Sequence, residues 1–263
     1  MRFKLLLLFV ISSNLAWGQY NTTIRSARPG HAVGPFTTGK NIFQIQTGVS
    51  TDWFDDTFAS LTGNGMAYFA SLRYGLEESF EIRSAFGARR DVTSMNGSET
   101  TIGGINVWNA GVRFNIINGK GERASFGIQT DVRFNFVDKD YNIDDLAPRI
   151  ILIHGQKFGA KLGLTTNWGI SWNGNNSTPR GFYVAKLTFP VSNKLSAFVE
   201  TYGGLVKEDF SIWFGTGLAY LLNNDFQLDI STGYGSNDNI NSALIDVGIS
   251  WRTGKWKGNP TDN

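Results

Sequence analysis

Apolar and polar residues alternate along most of this chain, in short segments separated by turn-forming residues. In the stretch 125–137, Phe126, Ile128, Thr130, Val132, Phe134 and Phe136 fall on one face, and Ser125, Gly127, Gln129, Asp131, Arg133 and Asn135 on the other. A period of two is the period of a β-strand. The pattern predicts twelve strands, over residues 41–51, 65–75, 79–88, 102–117, 123–137, 147–155, 158–172, 181–190, 194–205, 209–220, 225–235 and 242–252. The polar face carries glycines and charges of both signs, as the wall of a narrow lumen would.

The connections alternate in length. After the second, fourth, sixth, eighth and tenth predicted strands come 76–78, 118–122, 156–157, 191–193 and 221–224, all short. Asn118-Gly119-Lys120-Gly121 supplies residues that tolerate positive φ, as a hairpin turn needs. After odd-numbered strands most loops lengthen, to 52–64, 89–101, 138–146 and 173–180. Short turns at one end, long loops at the other and both termini in the periplasm are the rule for outer-membrane barrels. The connection 206–208 after strand nine is short and breaks the alternation. It leaves ten, eleven and fourteen strands open beside twelve, with an even number favoured. The expected class is all-β: a transmembrane antiparallel β-barrel of about twelve strands, in the outer membrane of a bacterium.

One face of these strands suits lipid. Ile82, Phe86, Trp108, Val112, Leu162, Leu164, Trp168, Ile212, Phe214, Leu218, Leu228, Ile230, Val247 and Ile249 are expected to point outward. Phe43, Tyr74, Phe80, Phe114, Phe126, Phe189, Tyr220, Phe226 and Trp251 cluster at the predicted periplasmic ends, where aromatic rings prefer the headgroup boundary. Backbone groups in hydrocarbon must all be paired, so the last strand is expected to close on the first.

Outside the barrel, 1–18 reads as a signal peptide. Arg2 and Lys4 form its basic end, 5–12 its apolar core, and Ala16-Trp17-Gly18 a small-x-small site cut before Gln19. The apolar run is too short for a membrane helix of about 20 residues. Residues 19–40 form a polar, aperiodic lead, placed in the periplasm or the lumen. The barrel follows over 41–252, and 253–263 is a charged periplasmic tail. Loss of Arg2 and Lys4 takes 24 basic against 22 acidic residues to 22 against 22. A neutral chain gives no reason to expect nucleic acid as a partner. The absence of cysteine excludes disulfides and thiol chemistry.

The inward faces hold the candidate functional residues: Arg73, Glu81, Arg83, Arg113, Asp131, Arg133, Lys186, Glu200, Asp229 and Asp246, with Lys161 beside them. Isolated charges in a constricted interior are costly, so these must pair or meet water. Two readings stand: a charged constriction that selects solutes, and an ion-pair network that fills the barrel. Twelve strands fall between the filled interior of eight and the water channel of sixteen or more. Inward glycines, among them Gly111, Gly127, Gly215 and Gly248, leave space beside the charges or allow the strands to curve.

Catalytic constellations are absent. Neither His31 nor His154 has metal-ligand spacing, and no catalytic residue, metal or cofactor is expected. Outer-membrane phospholipase A places a nucleophilic Ser two residues after its His; here His154 is followed by Gly155 and Gln156. Asp138, Asp140, Asn142 and Asp144 alternate in a loop, but a calcium loop wants Gly at its sixth position and Glu at its twelfth, where Ile143 and Arg149 stand.

Several short motifs carry a resemblance. Arg28-Pro29-Gly30, Pro35-Phe36-Thr37-Thr38-Gly39-Lys40 and Phe43-Gln44-Ile45-Gln46-Thr47-Gly48 open the chain. Pro148, Leu162-Gly163-Leu164, Asn167-Trp168-Gly169, Trp172 and Glu200-Thr201-Tyr202-Gly203 follow. Over 28–251 the chain resembles the Putative MetA-pathway of phenol degradation family of outer-membrane proteins, often labelled simply transporters. Gln46 stands where many members have Glu and Asn41 where they often have Gly. The resemblance implies a small barrel and passage of a small hydrophobic or aromatic compound. The expected function is passive movement of a small solute; the alternative is a non-conducting structural or accessory subunit of a larger outer-membrane assembly. Expected partners are outer-membrane lipid and lipopolysaccharide, the solute, and other outer-membrane proteins. Trp53, Phe54, Phe58 and Leu61, read as loop residues, offer a docking patch or a lid.

Overall fold

A computed structural model of the chain describes residues 22–159, 161–205, 210–237 and 240–254. The expected signal peptide, its cleavage site, the connection 206–208 and all but the start of the tail lie outside the described residues.

Twelve antiparallel strands close into one barrel. They are β1 (Phe43–Asp56), β2 (Leu61–Glu77), β3 (Phe80–Met95), β4 (Ser98–Ile117), β5 (Ser125–Arg133), β6 (Ala147–Phe158), β7 (Leu162–Ser171), β8 (Arg180–Pro190), β9 (Leu195–Gly204), β10 (Ile212–Asn223), β11 (Phe226–Asn237) and β12 (Ile240–Arg252). Every strand pairs with its sequence neighbours. The seam is β1 on β12, in register from Gln44↔Arg252 to Asp56↔Ile240. Closure leaves no unpaired edge, which a sheet in hydrocarbon requires.

The molecule is polar inside and apolar outside. Arg73, Arg113, Gln44, Gln129 and Glu81 are among its most deeply buried side chains, while Phe214 is 64% exposed and Trp168 54%. The period of two produces this inversion: Ile82, Phe86, Leu228, Ile230, Val247 and Ile249 lie exposed on the wall between inward-facing neighbours. The aromatic residues foreseen at the short-turn end meet across strands, as Phe43↔Tyr74, Phe80↔Phe114 and Phe226↔Trp251. The Phe80 and Phe114 rings stack at 4.5 Å.

The wall is taller on one side than alternation predicts. The stretches 52–64 and 89–101, expected as loops, are mostly strand. β1 runs to Asp56 and β3 to Met95. The β3–β4 connection is the two-residue turn Asn96-Gly97, with φ of 51° and 81°, the positive-φ pair of a tight hairpin. At the β1–β2 turn the Asp56 carboxylate accepts from the N–H of Phe58 and Ala59. Above the membrane both faces of a strand are wet, so polar residues occupy both and the apolar signal vanishes. Trp53 and Phe54 are consequently strand residues, Leu61 begins β2, and Phe58 stands at the hairpin tip, 85% exposed. Strand β5 is shorter than the predicted 123–137. It ends at Arg133, and Phe134 and Phe136 pack edge-on against Trp108 at 5.6 and 5.2 Å.

The lead, 22–42, runs inside the barrel. Hydrogen bonds tie it in order to β12 (Arg252 to the Thr22 carbonyl), the β10–β11 turn (Ile24 N–H to Asn224), β11 (Gln227 to Ser26), β9 (His31 N–H to Glu200), β7 (Val33 N–H to Asn167), β4 (Asn115 to the Pro35 carbonyl) and β3 (Thr38 N–H to Glu81). Partners on that many strands require the segment to circle the lumen before it enters β1. Three wall glycines give it room. A Cβ on Gly75 would meet the Gly39 carbonyl, one on Gly155 the Pro35 ring, and one on Gly248 the Arg28 guanidinium.

Candidate functional site

Strands β2 to β6 build a cation-rich wall. Arg73 on β2 grips Glu81 on β3 with two parallel bonds, Nε to Oε1 at 2.9 Å and Nη2 to Oε2 at 2.8 Å. The remaining donors of Arg73 reach the Arg25 and Phe36 carbonyls of the lead. Arg113 on β4 approaches Glu81 at 3.6 Å, donates twice to Gln129 Oε1 on β5 and once to the Phe36 carbonyl. Gln129 Nε2 passes a hydrogen bond to Asp131 at 2.7 Å. Asp131 also meets Arg83 at 3.3 Å and Arg149 at 2.8 Å. Two-pronged arginine–carboxylate bonds fix geometry as well as charge. The wall is a continuous network that holds four arginines against two carboxylates.

Strands β8 to β12 build the opposite wall, with the balance reversed. Glu200, Asp229 and Asp246 face inward, and Lys186 lies directly across from Glu200. Cations from the lead complete it. Arg28 pairs with Asp229 at 2.7 Å and with Asp246 at 2.8 Å, its guanidinium lying 4.4 Å from the centre of the Phe69 ring. Burial works against the charge of Arg28, but Asp246 and Asp229 outweigh it and hold its pKa above the ordinary arginine value. Arg25, by contrast, is lowered by burial to about 10; its guanidinium lies over Phe36. Glu200 accepts the His31 N–H at 2.9 Å and faces His31 Nδ1 at 3.0 Å. Lys186 donates to the Pro29 carbonyl. Gly30 sits at φ +83°, and a Cβ there would press on the Glu200 carboxylate.

Nine of the ten residues foreseen by alternation stand in these two walls, and not in one ring. Arg133 stands apart at the long-loop end, donating to the carbonyls of Asn106 and Tyr141. Lys161 lies exposed in the β6–β7 connection, outside the lumen. Reasoning from period two left Arg28, His31, Arg149 and Asn167 unplaced, and it put Gln129 on the inward face without counting it among the candidates. The first two belong to an aperiodic segment. A signal for them was present: a basic residue beside Pro-Gly in a polar lead, and three inward acids, Glu200, Asp229 and Asp246, with only Lys186 to balance them on their own strands. No cluster of His, Cys, Asp or Glu able to hold a metal occurs among the described residues.

Between the lead and the wall lies a cavity of about 490 Å³. Residues of the short turns, including Gly119, Arg123 and Lys157, line its rim, and Ser26, Pro35 and Lys186 its depth. At the other end the 138–146 loop bends over the mouth. Its 3₁₀ turn, Lys139–Tyr141, places the Tyr141 hydroxyl 2.9 Å from Asp91 of β3. Burial, with Asp91 adding to it, pushes the Tyr141 pKa up to about 12. Asp138, the first of the alternating acidic residues of that loop, accepts from the Ile105 N–H.

The family model described as Putative MetA-pathway of phenol degradation matches residues 26–253. The chain belongs to that family. Its match begins within the lead, so the family signature includes most of the segment that circles the lumen. Among solved structures, the fold of this family member is similar to the COG4313 outer membrane channel from Pseudomonas putida F1, with 11% identity, a TM-score of 0.61, and 87% of this chain and 100% of that one covered. It is also similar to the transport unit of the autotransporter AIDA-I from Escherichia coli (10%, 0.54, 93% and 96%) and to the KdgM porin in complex with disordered oligogalacturonate (10%, 0.51, 78% and 98%). No curated protein matches the chain. At these identities the likeness is one of fold: an outer-membrane barrel.

Proposed function

We propose that this barrel is a passive outer-membrane channel for a small solute, with the two charged walls as its constriction and the lead as a seated obstruction. The carrying observation is how the lead is held. Charged and amide side chains grip its backbone across a polar lumen, an attachment that water can replace bond by bond. Opposed cationic and acidic walls would set a transverse field across the path and orient a polar solute. The family label and the fold neighbours described as channel and porin support the reading. A small hydrophobic or aromatic compound is the solute class we favour.

The filled lumen supports a second reading, a non-conducting barrel that serves a larger assembly. Single-channel recording in a planar bilayer separates the two. A channel gives resolved current steps whose cation preference rises at least twofold in Arg113→Ala, because the basic wall loses one of its four arginines. A barrel that stays silent in both forms, and in Arg28→Ala, rejects conduction.

A further inference from the structure

The highest point of the lead meets an aromatic surface. Tyr202 on β9 and Trp213 on β10 face each other across the strands, and their rings stack at 5.8 Å with only 19° between planes. Glycines of β11 leave both of them room. A Cβ on Gly235 would strike the Trp213 indole, and one on Gly233 the Tyr202 hydroxyl. An aromatic ring covering a cross-strand glycine is a recognised stabilising device, and that alone would make the pair structural. Three observations go beyond it. The outer face of Tyr202 is taken by the His31 ring, stacked at 3.8 Å and 23°. That ring's Nδ1 faces Glu200, whose carboxylate is almost wholly buried. The Tyr202 hydroxyl is buried without a hydrogen-bond partner. A flat ring with one polar atom aimed at a carboxylate thus already occupies the place, and it arrives on a segment held by polar bonds.

We propose that Tyr202, Trp213 and Glu200 form a binding site for a planar aromatic ring bearing a hydroxyl, and that His31 is the chain's own occupant of that site. The proposal rests on the small-solute reading above and narrows it. The solute ring stacks on the outer face of Tyr202, which Trp213 supports, in place of the imidazole, and its O–H donates to Glu200. A benzene ring without a hydroxyl leaves Glu200 unpaired, and a ring carrying a carboxylate sets a second negative charge against it. Solute and lead therefore compete for one surface, at the long-loop end of the lumen where β10 begins.

Saturation-transfer NMR on the full chain in detergent micelles, with phenol, toluene and benzoate as probes, tests this. Protein-free micelles supply the background for partitioning into detergent. Phenol signal should exceed both other probes. Its dissociation constant should rise about tenfold in Trp213→Leu and Tyr202→Leu, the upper range for a lost aromatic pair, and fall severalfold in His31→Ala. Heat-modifiable gel mobility confirms that each variant is a folded barrel; if Tyr202→Leu fails to fold, Trp213→Leu carries the test. Equal phenol signal in the native chain, Trp213→Leu and His31→Ala overturns the site, as does weaker binding in His31→Ala. Conductance read in parallel keeps the two claims apart. A silent barrel with phenol binding that competes with His31 retains the site and loses the channel. A conducting barrel with indifferent phenol binding does the reverse.

Discussion

The two walls of the lumen solve the same electrostatic problem differently. On β2 to β6 the charges satisfy one another, Arg73 with Glu81 and Arg149 with Asp131 on adjacent strands, and Arg83 with Asp131 across the bare Gly111 of β4. The lead adds only carbonyl oxygens there, those of Arg25 and Phe36. On β8 to β12 three carboxylates share one lysine, and the cation that balances Asp229 and Asp246 comes from Arg28, about 200 residues away in sequence. One wall pairs its carboxylates without the lead and the other does not. The lead is therefore an electrostatic part of the barrel on one side and a guest on the other.

Removing Arg28 should break this contrast most visibly. Arg28→Ala leaves Asp229, with a fully buried side chain, and Asp246 without their counter-ion. Orphaning a buried charge typically costs about 3–5 kcal/mol, and half of that shifts the seating of the lead by at least tenfold. The cysteine-free chain offers a direct readout. Gly34 borders the cavity, and a Cβ added there would have no atom within 4 Å, so Gly34→Cys adds a label site without a clash. Reaction of Gly34→Cys with a charged maleimide should accelerate about tenfold when Arg28→Ala is added. An unchanged rate would mean that the acidic wall does not depend on the lead.

The converse substitution sharpens the comparison. Arg83→Ala leaves Asp131 with Arg149 and Gln129. The urea midpoint of the folded barrel should move by the equivalent of about 1 kcal/mol or less, in the range of one partner of several. Maleimide labelling at position 34 should stay at the parent rate. Faster labelling would show that Arg83 also helps to hold the lead.

The smallest effect lies at the mouth. The raised Tyr141 pKa stabilises the neutral phenol, so its contribution is complete below pH 10 and is lost as pH rises from 10 to 12. A difference ultraviolet titration of the parent against Tyr141→Phe should place the missing phenolate near pH 12. A transition at pH 10 would place this loop away from Asp91.

These contrasts mark what could be read from the chain alone. Within the membrane, Ile82 beside Arg83 and Val112 beside Arg113 announce both face and strand, because lipid and lumen impose opposite polarity. Above it, Arg89 to Ser94 carries no such signature, although Asn96-Gly97 marked the hairpin. Inward direction was legible for all ten charged candidates; their partners were not. Register sets Arg73 diagonal to Glu81 and puts Gly111 between Arg83 and Asp131, and a slip of one residue would have reversed every face. Arg28 and His31 had no period to declare them, and their acids lie 169 to 218 residues away.

That distance has a consequence for how the molecule is made. The lead runs directly into the strand that forms the seam, and its anchors on β9, β11 and β12 belong to the half of the chain synthesised last. Contacts of such long range form late. Stoppering and sealing thus draw on the same late pairing: the contact that joins the first strand to the last also carries the preceding twenty residues to their anchors.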